Sequence, residues 1–229
     1  MDTPLQLKIS DPYNIQLGNH FNDIILKYIS VADSLNINAN EKYENNLEEY
    51  PYIEARQQDY YGLIEALWNS GVLKRNMNII DIGCGFGTTL YNIAHQFKHY
   101  NDAIGDSYFN ISFTGIENDK KILKRWQYLE NLWKPLKVSK EIKEADLKKG
   151  IDYKDYDLIL TFHPLRENKE MVEAYKDIFN QMKKGAIFFE YMESGKGHAS
   201  QIIELQKEFS FSIGKLMFGG KIQSILIKT

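Results

Sequence analysis

The 229-residue sequence has only one cysteine, Cys84. A lone cysteine forms no intrachain disulfide, and the expected setting is the reducing cytoplasm. No apolar run approaches the length of about 20 residues needed to cross a bilayer. The start, Met-Asp-Thr-Pro-Leu-Gln-Leu-Lys, has no basic head followed by an apolar core, so no secretion leader is expected. Positive charge is not in excess: 28 Lys and Arg stand against 31 Asp and Glu, a net charge of −3. The chain therefore lacks the overall basic character of a protein that tracks a phosphate backbone, and nucleic acid is not favoured as a partner. Metal-ligand spacing is also missing. His20, His95, His99, His163 and His198 are dispersed, and Cys84 has no second thiol to pair with at a metal. Neither a Gly-x-Ser-x-Gly elbow nor a Gly-Lys-Ser/Thr phosphate loop occurs.

What remains is an ordinary globular composition, 43% hydrophobic and 26% charged. The length suits one domain with decorations, or a domain and a half. Fifteen Tyr and 12 Phe fit a pocket with aromatic walls, and they fit aromatic core packing equally well.

The most informative stretch is Ile79 to Thr88, Ile-Ile-Asp-Ile-Gly-Cys-Gly-Phe-Gly-Thr. A hydrophobic strand leads into three glycines spaced by one, and a helix follows at once. Without Cβ atoms the backbone admits a ligand closely and tolerates positive φ. The helix start then aims free N–H groups and partial positive charge at the bound group. A nicotinamide-type fingerprint needs glycine at the first, third and sixth loop positions. Here the sixth position from Gly83 is Thr88, and glycine stands at the fifth.

The run resembles motif I of the class I S-adenosylmethionine (SAM) dependent methyltransferases, acid-x-Gly-x-Gly-x-Gly. Asp81, Gly83, Gly85 and Gly87 fill every position. Cys84 is a small side chain that suits the turn, rather than a nucleophile, and the resemblance counts it with Asp81, Gly83, Gly85 and Gly87 among the cofactor-binding residues.

Periodicity predicts helices around Phe21–Ala32 and from Ile53 to Asn69, with an Asn-rich loop over 34–46. From Asn78 onward strand and helix alternate. Strands are predicted at Asn78–Ile82, Ile111–Ile116, Lys137–Glu144, Asp157–Phe162 and Ala186–Tyr191. Helices are predicted at Thr88–Phe97, Lys120–Trp133, Met171–Met182 and Ser200–Phe209. Residues 98–110 read as an inserted loop. Phe211–Phe218 and Gln223–Lys228 read as a hairpin turning at Gly219 and Gly220. Alternation of this kind implies a parallel sheet with helices on both faces. The fold class is α/β, and the order resembles the class I methyltransferase (Rossmann-like) sheet of seven strands with a C-terminal antiparallel hairpin. Residues 78–229 would form the SAM-binding domain, and residues 1–77 a helical N-terminal cap or lid.

Ligands of open parallel sheets bind beyond the carboxyl ends of the strands. After strand two stands Glu117, whose two oxygens match the vicinal diol of a ribose; the family places an acid there, and Asn118 follows it. Asp119 reads as a helix cap. After strand three, the resemblance gives Asp146 the adenine amine and Leu147 the ring face. Thr161, among the last residues of strand four, joins the cofactor residues. The next residues, Phe162-His163-Pro164-Leu165, depart from the Asn-Pro-Pro-Tyr of many amino-methylating enzymes acting on nucleic acid or protein. His163 is either a general base or a structural histidine at the strand end. Tyr191 follows strand five and borders the acceptor side. Tyr52, Arg56 and Tyr60 in the cap are candidates to close over the substrate. Lys120, Lys121, Lys124 and Arg125 read as a solvated helix face.

The resemblance implies SAM as cofactor and methyl transfer to O or N of a small-molecule acceptor. Methylation of RNA or protein, a non-catalytic SAM-binding module and a nicotinamide-dependent oxidoreductase are the alternatives. The oligomeric state is not legible.

Overall fold

In a computed structural model of the protein, the described residues are 63–104, 108–147, 150–161, 169–190, 208–218 and 221–229, with 24, 26–28, 30–32, 34–35 and 205. The described residues between 24 and 35 have helical backbone, and Tyr28 and Ala32 are buried. Helix α1, Leu63–Asn69, buries Leu63, Ile64 and Leu67. Strand β1 is Asn76–Ile82, followed by α2 at Thr88–Ile104 and β2 at Asn110–Glu117. A broken helical run comes next. It comprises α3 at Lys120–Arg125, a 3₁₀ turn at Trp126–Tyr128, α4 at Glu130–Trp133 and a 3₁₀ turn at Lys134–Leu136. Then come β3 (Ser139–Glu144), β4 (Leu158–Thr161), α5 (Lys169–Gln181), β5 (Ile187–Glu190), β6 (Phe211–Phe218) and β7 (Lys221–Lys228).

The seven strands form one sheet in the order β3-β2-β1-β4-β5-β7-β6. The five strands from β3 to β5 are parallel, and β7 joins antiparallel between β5 and β6. From β1 the chain builds outward to β2 and β3 on one side, then crosses to β4 on the other. The strand order reverses beside β1, which puts the ligand crevice at its carboxyl end. Strand β1 is apolar on both faces because it is covered on both. Met77 and Ile79 enter one core with Leu90, Ile93, Ala94 and Phe97 of α2. Ile80 and Ile82 enter the other with Tyr175, Ile178 and Phe179 of α5. Each such aliphatic side chain contributes about 1.5–3 kcal/mol by leaving water.

The predicted architecture holds, with local differences. Strand β1 starts two residues before the predicted Asn78. Helix α2 runs to Ile104, through the first half of the predicted insertion, because Tyr100 and Ile104 continue its apolar face against the core. The Asn101 side chain then closes the connection. It donates to Phe109 O at 3.0 Å and accepts from Phe109 N at 2.7 Å. The single helix predicted over Lys120–Trp133 is broken at Trp126, whose indole N–H is pinned to Gly85 O at 2.9 Å. Ile122, Trp126, Leu129 and Trp133 are nevertheless all buried, as their spacing required. The predicted helix at Ser200–Phe209 lies mostly outside the described residues, as do residues 53–62 and the turn at Gly219 and Gly220.

Asp157 ties the opposite, amino-terminal edge of the sheet. Its carboxylate accepts from Asn78 N at 3.1 Å and pairs with Lys74 at 2.9 Å and Lys183 at 3.0 Å. Burial alone would push this carboxyl up. The Asn78 N–H and the two ammonium groups outweigh it, and the pKa lies below the usual 3.8. A group lowered in the folded state stabilises above its unfolded pKa and loses that contribution as pH falls through the folded one. Asp157→Asn should therefore cost on the order of 1–2 kcal/mol at pH 7, modest because both lysines are partly solvated. Urea denaturation from pH 7 to pH 3 checks this: the gap between wild type and variant should hold down to about pH 4 and shrink below it.

Candidate functional site

The turn after β1 explains the glycine spacing. Gly83, Gly85 and Gly87 have φ of 72°, 52° and 74°. A left-handed conformation costs other residues about 1–2 kcal/mol each. Gly83 N and Cys84 N both donate to Ile116 O at 2.9 Å, and Gly87 N donates to Cys84 O at 2.7 Å. Space is a second constraint. A Cβ on Gly87 would lie 2.4 Å from Trp126 Cη2, and one on Gly115 would lie 2.6 Å from Cys84 Sγ. Cys84 is thus wedged over β2. Burial pushes its thiol well above the ordinary value, and the carboxylates of Asp81 and Glu117 add to this, so it stays protonated.

Glu117 ends β2 beside this turn and is 9% exposed. Its Oε2 accepts from Gly85 N at 2.9 Å, and its Oε1 accepts from Asn118 N at 2.8 Å and Asp119 N at 2.9 Å. Three backbone N–H groups therefore orient one carboxylate at the mouth of the loop. Asp81, 3% exposed on β1, faces the same end. Burial, then the charge of Glu117, raises its carboxyl to about 8. Two acids at one strand edge, one held by N–H groups and one kept neutral, make a site that favours a cationic ligand.

The other predicted cofactor residues sit around this centre. Ala145 N donates to Glu117 O at 3.1 Å, which brings the turn carrying Asp146 and Leu147 alongside. Leu147 packs with Ile82 and Ile116 under the crevice. Asn118 is exposed, and Asp119 caps α3 by accepting from Lys121 N at 2.7 Å, as its position implied. Thr161 is in register with Ile82 and Glu190 at the carboxyl ends of β4, β1 and β5. Beside it, Tyr175 donates to Glu190 Oε1 at 2.6 Å. Burial and the neighbouring Glu190 push the tyrosine hydroxyl well above its ordinary range, so it remains a donor. The signal for this pair was Glu190 itself, an acid closing the apolar run Ala-Ile-Phe-Phe; nothing in the spacing marked Tyr175.

The candidates His163, Tyr52, Arg56, Tyr60 and Tyr191 lie outside the described residues. Lys120, Lys121 and Lys124 are solvent-exposed, and Lys120 pairs with Glu144 at 3.2 Å. Arg125 instead turns inward and donates to Leu35 O. Among the described residues, no three His, Cys, Asp or Glu side chains are grouped to hold a metal ion. No helix among them is long and apolar enough to cross a membrane.

A family model described as a methyltransferase domain matches residues 73–221. No curated protein sequence matches the chain. Among solved structures, a methyltransferase from Pyrococcus furiosus aligns at 17% identity and TM-score 0.53, covering 88% of this chain and 98% of that one. The magnesium protoporphyrin IX methyltransferase of Synechocystis PCC 6803, crystallised with bound SAM, aligns at 14% identity and TM-score 0.52, over 88% and 96%. A coclaurine N-methyltransferase bound to N-methylheliamine and SAH aligns at 19% identity and TM-score 0.43; the chain covers 35% of it, with 57% of its own length. With a matching model over well more than half its length, the motif I loop at the strand-order reversal and an acid ending β2, the chain belongs to the methyltransferase domain family, as a class I enzyme with S-adenosylmethionine as cofactor.

Proposed function

We propose that the protein methylates an oxygen or nitrogen of a small-molecule acceptor. The observation that carries the cofactor half is the junction of Gly85 N and the Glu117 carboxylate at the strand-order reversal. The acceptor half rests on the net charge of −3, the absence of Asn-Pro-Pro-Tyr after β4, and the reading of the residues before β1 as a helical cap. The cytoplasm is the proposed setting, from the lone cysteine.

Bound SAM supplies an electrophilic methyl group on a cationic sulfur. The glycine turn would let the backbone approach the cofactor closely, and Glu117 would accept from the ribose hydroxyls. Asp81 supplies negative charge on demand beneath the loop. Asp146 would take the adenine amine and Leu147 would pack on its ring, with Asn118 and Thr161 completing the cofactor contacts. Tyr52, Arg56, Tyr60 and Tyr191 are the proposed acceptor-binding residues. His163 would take the proton that the acceptor gives up as its O or N bonds to the methyl carbon and the carbon–sulfur bond breaks, leaving the thioether S-adenosylhomocysteine. The main contribution is alignment of the acceptor with the methyl group.

Glu117→Ala should weaken SAM by about 1–3 kcal/mol, the range for charged hydrogen bonds. In that variant, an analogue lacking the ribose hydroxyls should bind no worse than SAM itself. Simple additivity of the two losses in calorimetry would remove Glu117 from the ribose.

Asp81 generates a pH prediction. Its folded pKa of about 8 lies above the usual 3.8, so without a cationic ligand the carboxyl holds a proton at pH 7. The stability this gives is complete below the unfolded pKa and is lost as pH rises through 8. A cationic ligand favours the ionised carboxyl, so SAM binding at pH 7 should release up to about one proton. Calorimetry in buffers of different ionisation enthalpy should show that release fading above pH 8 and vanishing in Asp81→Asn.

Transfer itself is tested with SAM labelled on its methyl group and a cell extract split into dialysable and macromolecular fractions. Label should enter the dialysable fraction; label entering only RNA or protein would replace the acceptor reading. With an acceptor in hand, His163→Ala should lower turnover by about a hundredfold or more with SAM affinity unchanged. A variant that loses stability but keeps its rate makes this histidine structural.

A further inference from the structure

Consecutive peptide units of the turn 84–87 are each held at an identified atom. Between Cys84 and Gly85, the carbonyl accepts from Gly87 N at 2.7 Å and the N–H donates to Glu117 Oε2 at 2.9 Å. Between Gly85 and Phe86, the carbonyl accepts from Trp126 Nε1 at 2.9 Å. Between Phe86 and Gly87, the carbonyl accepts from the Tyr28 hydroxyl at 2.6 Å, while the N–H is the one that closes onto Cys84 O. In a planar trans peptide, C=O and N–H point in opposite directions, so holding one end sets the other. Tyr28 and Cys84 O thus grip the same peptide plane from its two sides.

Glu117 and Trp126 belong to the segment matched by the family model, residues 73–221; Tyr28 does not. It comes from the helical residues between 24 and 35, 58 positions before the carbonyl it binds. Its own placement is fixed. Trp133 Nε1 donates to the Tyr28 hydroxyl at 3.0 Å, which leaves the hydroxyl proton for Phe86 O. The ring stacks on Tyr91 at 3.9 Å between centroids and is 1% exposed. Arg125, next to Trp126, donates to Leu35 O and holds the end of the same segment.

We propose that Tyr28 is a positioning residue for the cofactor loop, so that the N-terminal helical segment is part of the SAM site. The inference rests on reading Gly83–Gly87 as that loop. Without the hydroxyl, the Phe86–Gly87 peptide keeps one grip of two and rotates more freely. The backbone of the turn then loses the fixed placement that lets a ligand approach it without reordering cost.

The test uses the full chain and Tyr28→Phe, which keeps the stacked ring and removes only the hydroxyl. Calorimetry with SAM and with S-adenosylhomocysteine should show affinity lower by about tenfold, the effect of one hydrogen bond. Tyr91→Phe is the control. It removes the hydroxyl of the other stacked ring, which donates to Leu132 O at 3.4 Å and not to the loop. Its SAM affinity should stay within about twofold of wild type while its melting temperature reports any packing loss. A Tyr28→Phe protein that melts lower yet binds SAM as wild type does overturns the proposal, because the tyrosine is then only core. If Tyr28→Phe fails to fold, Trp133→Phe decides: SAM affinity should fall at least about threefold, and unchanged affinity overturns the proposal. Wild type that binds no SAM would fail the loop assignment itself and this inference with it, a result distinct from a variant that matches a binding wild type.

Discussion

The hydrogen bond from Gly85 N to Glu117 Oε2 joins the two strands that carry the site, and it exists only in one register of the sheet. Ile82 of β1 pairs with Ile116 of β2, which places Glu117 one step beyond the last pair. The Ile116 carbonyl then receives both Gly83 N and Cys84 N, so the sheet ladder runs directly into the turn. A slip of one residue would turn Glu117 to the opposite face and take away the acceptor for both amides. The apolar residues of β1 forbid that slip. Ile79 must face α2 and Ile80 must face α5, and neither core admits the other's polar neighbours. Hydrophobic burial thus sets the position of a carboxylate to within hydrogen-bonding distance of a loop.

Two aspartates at the two ends of the sheet show how surroundings decide charge. Asp157 at the amino edge meets two ammonium groups and a backbone N–H, and its carboxyl is lowered. Asp81 at the carboxyl edge meets burial and another acid, and its carboxyl is raised to about 8. The first edge is neutralised by the protein itself. The second keeps an acid that a nearby positive charge would ionise. Lys74 and Lys183 lie at the amino end beside Asp157, and neither contributes to the environment of Asp81.

What was legible in the sequence is what depends on near neighbours. The spacing of Gly83, Gly85 and Gly87 encodes alternating positive φ, and Asp119 two residues before Lys121 encodes a cap; both are local facts. The parallel sheet with helices on both faces followed from the alternation of strand and helix, and Glu117 followed from strand two. Less legible was how far an apolar face extends, as at Tyr100 and Ile104, where the helix continues because distant residues cover it. The break at Trp126 was invisible for the same reason. Helical spacing correctly marked Trp126 as buried, but its partner, Gly85 O, is 41 residues away. The same limit applies to Tyr28, whose spacing indicates a core position and says nothing about where its hydroxyl points.

The aromatic donors beneath the loop also explain why its last glycine is constrained twice. Trp126 fills the space in which a Gly87 Cβ would sit, while its indole N–H holds the Gly85 carbonyl. A small donor such as serine could make the hydrogen bond but would leave a void under the turn. An aliphatic residue could fill the void but would strand the carbonyl. An indole does both with two torsions to fix, and a tyrosine does so one peptide further along. Rigid rings carrying a single polar atom are therefore suited to supporting a turn whose ligand-facing side must stay bare backbone. Packing below the loop and access above it are two consequences of one arrangement. Enlarging Gly87 would disturb the first even where the second has room to spare.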